Sequence, residues 1–342
     1  KVHVESGASG LECRLKRCIE EFRNPTLKII AQGIFPKLGE IPILFYLYDF
    51  KSLIAMKKIV DYISEKIGIE IIHFHPVSGG DISSAYLLET VSQRFFLKVN
   101  SKPFAKKMFL EEQKGLQAIE NTGTIAVPHV HLVDESGGKS FLLMDFIESR
   151  RANAKDYKHF GRDLARLHLS VSEQFGFSSD NFIGSLPQSN ASHTDWTEYY
   201  WKERIAPQLE LARQSKALEE KYLPSKEIAL NVFTQVFGEV KPSLLHGDLW
   251  GGNYLISTDG TPYLIDPAVY FGHSMVDIAM SQLFGGFDTE FYDAYHKIIP
   301  KPSYYQEQIK LYQLYYLLVH LNLFGRSYRS SVVDILEKYF TS

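Results

Sequence analysis

Leu244-Leu245-His246-Gly247-Asp248-Leu249-Trp250-Gly251-Gly252-Asn253 opens the stretch that decides how this chain folds. A short apolar run Tyr254-Leu255-Ile256 follows, then a turn at Asp259-Gly260-Thr261, then Pro262-Tyr263-Leu264-Ile265-Asp266-Pro267. Two leucines enter a loop carrying His, Asp and Asn, and a strand, a turn and a returning strand bring Asp266 back to it. Taken singly these residues are ordinary, because Asp, Asn and Gly crowd turns of every kind. As a set they have a chemistry. Mg²⁺ prefers hard oxygen ligands and keeps part of its water. Asn253 and Asp266 can supply one oxygen each while phosphate oxygens complete the shell. Asp248 then stays free to accept a hydrogen bond from an attacking hydroxyl and to orient it.

The spacing of Asp248 and Asn253 is that of the kinase pattern H-x-D-x-x-x-x-N, with Asp266 ending the returning strand where a second metal ligand is needed. The residues upstream agree with it. Ile71 to Val77 reads as a strand, Ser78-Gly79-Gly80-Asp81-Ile82-Ser83-Ser84 as a glycine turn, and Ala85 to Glu89 as the returning strand. Gly79 and Gly80 permit the close backbone approach that cradles phosphates, with Ser83 beside them, although Gly-Gly-Asp also makes an ordinary hairpin turn. In the strand Arg94 to Asn100, Lys98 shares a face with Phe96 and Asn100. A helix from about Ala105 to Ile119 follows. Its Glu112 lies on the inward stripe with Met108 and Leu116 and is the expected partner of Lys98, leaving Glu111 as a surface charge. Ser140 to Phe146 reads as the last strand of this half, leading into a hinge. Backbone groups of Asp145 and its neighbours would read an adenine edge there, with Met144 and Phe146 beside the ring. A helix is expected over residues 155–175, with His168 as a packing histidine.

The expected architecture is therefore α+β, a two-lobed protein-kinase-like fold. It has a small antiparallel-sheet N-lobe with one key helix over residues 56–148, and a larger, mainly helical C-lobe over 149–342. Residues 1–55 carry no complete domain pattern, and from Met56 an amphipathic helix begins with Ile59, Ile63 and Ile67 on one face. The expectation is that the domain begins at Met56 and that 1–55 are an extension; the alternative is a native helical appendage. Two differences from protein kinases narrow the class. Gly247 stands where an arginine would answer a phosphorylated activation loop, and Asp266 is followed by Pro-Ala. Asp277 is expected to brace the catalytic loop by accepting backbone hydrogen bonds.

Bulk composition excludes several other classes. A net charge of −3 gives no electrostatic reason for a nucleic-acid or anionic-membrane partner. The apolar run Leu311–Phe324 is interrupted by Gln313, His320 and Asn322 and is shorter than the roughly 20 residues of a bilayer span. Both cysteines, Cys13 and Cys18, precede residue 20, so the main body has no disulfide framework and no cysteine metal site. A cytoplasmic protein with an aromatic-rich core is expected.

At this level a family resemblance emerges. Pro76-Val-Ser-Gly-Gly-Asp81, Met108-Phe-Leu-Glu-Glu112, His246-Gly-Asp-Leu-Trp-Gly-Gly-Asn253, Asp266-Pro-Ala, Phe271-Gly-His273 and Met280 to Tyr295 resemble the fructosamine kinase (ketosamine-3-kinase) family. So does the tail from Leu311 through Tyr328. The resemblance runs from about Met56 to the C-terminus. It implies ATP- and Mg²⁺-dependent phosphorylation of the 3-hydroxyl of a free or protein-bound ketosamine, giving an unstable ester that releases the amine. It also implies Lys98 and Glu112 as the phosphate lysine and its partner, Asp248 as base, Asn253 and Asp266 as magnesium ligands, and the hinge from Met144 to Phe146 as the adenine site. Some family members carry cysteine where this chain has Asp81. Gly184 to Gln188 and Asp195-Trp196 resemble a segment near the acceptor cleft. Trp196 and Trp250 are candidates for stacking on a sugar, with core packing as the alternative. Two rival functions stay open at this point. One is an aminoglycoside, choline or sugar kinase of the same fold; the other is a pseudokinase scaffold. The sequence leaves open which ketosamine is used, the oligomeric state and the role of Asp81.

Overall fold

The computed structural model describes residues 55–77 and 83–340; the expected extension and the glycines Gly79 and Gly80, with Asp81, lie outside the described residues. Helix α1 covers residues 55–67. Strands β1 (His73–Val77), β2 (Ser84–Glu89) and β3 (Arg94–Asn100) lead into helix α2 (Ala105–Glu120), and β4 (Val130–Ser136) and β5 (Lys139–Asp145) complete an antiparallel sheet in the order β1-β2-β3-β5-β4. The alternation in R-F-F-L-K-V-N puts Phe95, Leu97 and Val99 on the buried face and Lys98 on the other. Register fixes what Lys98 faces: it pairs with Leu142 on β5, and Phe96 with Met144. Phe109 of α2 packs on Leu142 and Met144, so α2 covers the same sheet face that carries Lys98.

The rest of the chain is mainly helical. β6 (Ser149–Arg150) joins β10 (Tyr254–Ser257) and β11 (Pro262–Leu264) in one small sheet; β7 (Asn181–Ile183) pairs with β8 (Leu186–Gln188), and β9 (Ser243–Leu245) with β12 (Tyr270–Gly272). Helix α3 (Ala154–His168) starts with a capping box, in which Asn153 accepts from the Lys155 and Asp156 N–H groups and Asp156 accepts from the Asn153 N–H. α4 (Trp196–Tyr199) runs through a π-helical segment (Tyr200–Ile205) into α5 (Ala206–Gln214). Then come α6 (Lys226–Phe237), α7 (Met275–Ser281), α8 (Thr289–His296), α9 (Tyr305–Phe324) and α10 (Arg329–Phe340). α9 is apolar nearly all round, which suits a helix enclosed on every side, and Leu311, Tyr312, Leu314, Tyr316 and Leu318 are fully buried. Aromatic packing dominates this core, as with Phe237 stacked on Tyr312 at 4.6 Å.

One element ends earlier than the sequence suggests. α3 stops at His168, and Leu169 and Val171 are exposed. The backbone leaves the helix because it pairs elsewhere: the Leu244 N–H donates to Ser170 O and the Ser172 N–H to Pro242 O. Tertiary pairing beside β9 overrides the helical periodicity.

Candidate active site

The loop that carries Asp248 leaves β9 and is held by one buried carboxylate. Asp277, fully buried on α7, accepts the His246 N–H at 2.7 Å, the Gly247 N–H at 2.9 Å and the His168 Nε2–H at 3.1 Å. Burial pushes the Asp277 carboxyl up, but these donors overturn it and the group lies below its usual range. His168 packs in the core as expected; its Nδ1 also meets the Tyr295 hydroxyl at 2.8 Å. Gly247 adopts φ +83°, and a Cβ there would stand 2.1 Å from Ala268 O. Only glycine fits.

His246 links the loop to the returning strand. Its Nδ1 accepts the Asp248 N–H at 3.2 Å, which leaves the proton on Nε2 to donate to Ile265 O at 2.8 Å. Burial holds this imidazole below its ordinary pKa, in keeping with a neutral ring. Asn253 donates its amide N–H to Asp248 O at 2.8 Å and to Asp248 Oδ2 at 3.2 Å. Asp248 is half-buried. Desolvation first, and the Asp266 charge second, push its carboxyl up to about 7. Asp266 itself takes φ +56°, a left-handed conformation that aspartate tolerates better than most residues.

The two halves of the site meet at Lys98. Its ammonium donates to Glu112 Oε1 at 2.7 Å and to Asp266 Oδ1. Burial alone would push this lysine down; the Asp266 and Glu112 carboxylates outweigh it and hold the group protonated. Glu112 is raised by burial against the pull of Lys98. The chosen glutamate thus faces the lysine. Glu111, expected as a surface charge, is also engaged: Ser179 Oγ donates to it at 2.6 Å and Lys114 Nζ lies at 2.8 Å. That correction comes from tertiary contact; Ser179 lies 68 positions further along the chain. Gly115, one turn on, lets α2 close on Pro267 and Val269.

The remaining candidates divide. The Ser83 hydroxyl accepts from Asn100 Nδ2 at 3.1 Å, at the end of β3. Met144 is buried on the Lys98 face. The Asp145 side chain is turned to β4, accepting the His129 N–H at 3.2 Å and meeting His131 Nε2 at 2.7 Å. The backbone N–H of Asp145 bonds His129 O, and that of Phe146 reaches Arg94 O at 3.4 Å. Arg94 also covers the Phe146 ring at 5.0 Å. Trp196 does not reach the surface: it is 3% exposed, donates Nε1–H to the Tyr312 hydroxyl at 2.9 Å, and stacks on Tyr199 and Tyr200. Sugar stacking by Trp196 is excluded by that burial. Trp250 differs, being 37% exposed and folded over Gly252, where a Cβ would clash with its ring at 2.5 Å. The segment Gly184 to Gln188 forms the turn and second strand of the β7–β8 hairpin, from which Gln188 donates to Ala268 O and Asn181 to Val269 O.

The donor set suits a hard cation: Asn253, whose Nδ2 is turned to Asp248, and Asp266 both present oxygens as ligands. Among the described residues no group of three or more His, Cys, Asp or Glu could hold a metal unaided. A divalent ion there needs phosphate oxygens to complete its shell.

The sequence profile named fructosamine kinase matches residues 55–342. The chain belongs to the fructosamine kinase family. Among curated relatives, the chloroplastic protein-ribulosamine 3-kinase of Arabidopsis thaliana is 40% identical over 271 residues, covering 77% of this chain and 81% of that protein. The ketosamine-3-kinase of Mus musculus is 36% identical over 288 residues, covering 76% and 92%. A solved Haemophilus somnus structure assigned as a fructosamine-3-kinase superposes with a TM-score of 0.75 at 27% identity, over 84% of this chain and 98% of that one. The α+β kinase-like fold expected from the sequence is the one observed. Among the described residues, no helix of this fructosamine kinase family member is long and apolar enough to cross a membrane.

Proposed function

We propose that this protein transfers the γ-phosphoryl group of ATP to the 3-hydroxyl of a ketosamine, the product of a sugar and an amine, so that breakdown of the ester releases the amine. The observation carrying this reading is the Lys98 ammonium held between Glu112 and Asp266, within a family whose named relatives are ketosamine and ribulosamine 3-kinases. Lys98, fixed by Glu112, would meet the α- and β-phosphates. Asn253 and Asp266 would hold Mg²⁺, which would neutralise charge on the triphosphate. Asp248 accepts a hydrogen bond from the acceptor hydroxyl and aims its oxygen in line with the γ-phosphorus; its raised pKa suits a group that takes a proton as transfer proceeds. With the Asp145 and Phe146 N–H groups engaged, the adenine edge falls to the peptide groups that follow, beside Met144. By the sequence reading, Gly79 and Gly80, with Ser83, would cover the phosphates; the two glycines lie outside the described residues.

The acceptor enters beside the catalytic loop. The exposed Trp250 offers a ring face for the sugar, and a hollow of about 570 Å³ lined by Arg151, Tyr157, Tyr254, Phe287 and Asp288 meets the loop at Gly251 without including Asp248. The test is a panel of fructosamine, ribulosamine and erythrulosamine, free and on lysine peptides, with Mg²⁺ and ATP, read as ADP release. Aminoglycosides and choline serve as comparators. ADP release with a comparator and none with any ketosamine would overturn the assignment.

A further inference from the structure

Asp266 occupies a backbone conformation that costs free energy, and the structure shows what keeps it there. On its N-terminal side, the Ile265 N–H donates to Asn253 O at 3.1 Å and Ile265 O accepts from His246 Nε2. On its C-terminal side, the Ala268 N–H donates to His246 O at 2.8 Å. The two carbonyls that follow are taken by side chains from a distant hairpin. Asn181 Nδ2 donates to Val269 O at 2.8 Å, and Gln188 Nε2 to Ala268 O at 3.3 Å and to Asn181 Oδ1 at 2.8 Å. The Tyr315 hydroxyl donates to Gln188 Oε1 at 2.6 Å and completes the chain. Asn181 and Gln188 are cross-strand partners on β7 and β8, both buried, while Phe182 and Pro187 between them point outward. The other inward pair, Ile183 and Leu186, packs in the apolar core, whereas the Asn181–Gln188 pair puts two amides where more apolar packing would be expected. The amide pair is well suited to gripping two successive carbonyls.

We propose that Asn181 and Gln188 are positioning residues for Asp266: they fix the backbone just beyond it, so the left-handed turn at Asp266 persists and its carboxylate faces Lys98 and the metal. This rests on the reading of Asp266 as a metal ligand. Neither residue touches substrate. Their effect travels through two carbonyls, in the way that groups behind a metal ligand set its orientation and commonly change metal affinity about 10- to 100-fold when removed. Sequence reading placed Gly184 to Gln188 near the acceptor; the contacts assign the end of this hairpin to the metal side.

The test uses Gln188→Met and Asn181→Leu, with Gln308→Met as control. Gln308 is an equally buried amide that donates to Val236 O between α9 and α6, away from Asp266. ADP binding is titrated against Mg²⁺ by calorimetry, alongside kcat and acceptor KM. Both hairpin variants should raise the Mg²⁺ concentration for half-maximal ADP binding about tenfold or more and lower kcat. Acceptor KM should stay within about twofold, and Gln308→Met should lose thermal stability with no change in Mg²⁺ dependence. If Gln188→Met does not fold, Gln188→Asn withdraws the same donor while keeping an amide, and the same shift is expected. Wild-type Mg²⁺ dependence in folded hairpin variants, or an equal shift in Gln308→Met, would overturn the proposal. Asp266→Asn separates the two readings. If it leaves Mg²⁺ dependence unchanged, the ligand assignment fails; if it alone shifts it, only the positioning role fails.

Discussion

Asp277→Asn is the perturbation that tests how the catalytic loop is held. Both carboxylate oxygens face donors: Oδ1 meets the Gly247 N–H, and Oδ2 meets the His246 N–H and His168 Nε2. An amide must turn its NH₂ toward one side, so at least one donor faces another donor whichever way it is placed. One charge-assisted hydrogen bond is lost, about 1.5–3 kcal/mol, and one buried N–H is left unpaired, about 1–3 kcal/mol. The sum is about 2.5–6 kcal/mol, a large part of the ~5–15 kcal/mol by which domains are stable. At about 2 °C per kcal/mol for a chain of this size, Tm should fall by roughly 5–12 °C. Activity should fall too, in kcat more than in the KM for ATP, because the peptide at His246–Gly247 carries Asp248. The pH dependence has a definite sign. The folded pKa of Asp277 lies below its unfolded value, so its stabilisation is fully present above about pH 4 and is lost as pH falls through the folded pKa. The gap in stability between wild type and variant should therefore narrow on acidification. Thermal and denaturant melts at pH 7 and at about pH 2, with steady-state assays at pH 7, measure all of this. A variant within about 2 °C of wild type with unchanged kcat would refute the reasoning.

Four further outcomes are expected. Asp248→Ala should cut transfer by about 10²–10⁴-fold while leaving ATP binding largely intact, checked by ADP release and nucleotide titration. Asp248→Asn should melt higher than wild type at pH 8 and equally at pH 4: the raised pKa near 7 means the penalty for the buried charge grows as pH rises from the unfolded value through the folded one. Lys98→Met leaves Glu112 and Asp266 facing each other without their cation, and should lower kcat by about 10²-fold or more, with weaker nucleotide binding seen by calorimetry. Gly161→Ala sets a Cβ 2.1 Å from Phe291 O between α3 and α8, so it should cost about 1–3 kcal/mol in a denaturant melt while the folded fraction keeps its kcat.

The parts of this site legible in the sequence are those set by local spacing. Asp248, Asn253 and Asp266 lie within one loop-hairpin unit, and its turn residues and apolar strands fix where they meet. Glu112 was legible because helical periodicity separates it from Glu111 by about 100°. What was not legible depends on partners far along the chain. Glu111 finds Ser179, Trp196 finds Tyr312, and Gln188 finds Ala268, across 68, 116 and 80 positions. No periodicity encodes such pairs. The early end of α3 has the same origin. A signal for the hairpin was present all the same: beyond the apolar inward pair Ile183 and Leu186 at the Gly184-Ser185 turn, the next inward positions are the polar Asn181 and Gln188, a break in the apolar pattern of a face turned to a core.

The structure also changes the meaning of Gly247. From sequence it marks an arginine missing from a phosphorylation-regulated loop. In space an arginine is excluded, since any side chain at this position would drive its Cβ into Ala268 O at 2.1 Å. That carbonyl belongs to the segment that would have to move in such regulation, and this segment is short and tied at successive peptides. Ala268 is bound to His246 and Gln188, Val269 to Asn181, and by Tyr270 the chain is already paired in β12 with β9. α2 is tied as well, through Lys98–Glu112, Ser179–Glu111 and the close packing of Gly115 on Pro267 and Val269. The elements that phosphorylation rearranges in regulated kinases are thus fixed here by buried contacts. Catalytic geometry is set by folding itself, so activity should follow substrate and nucleotide supply and should not require a covalent switch on the 266–272 segment.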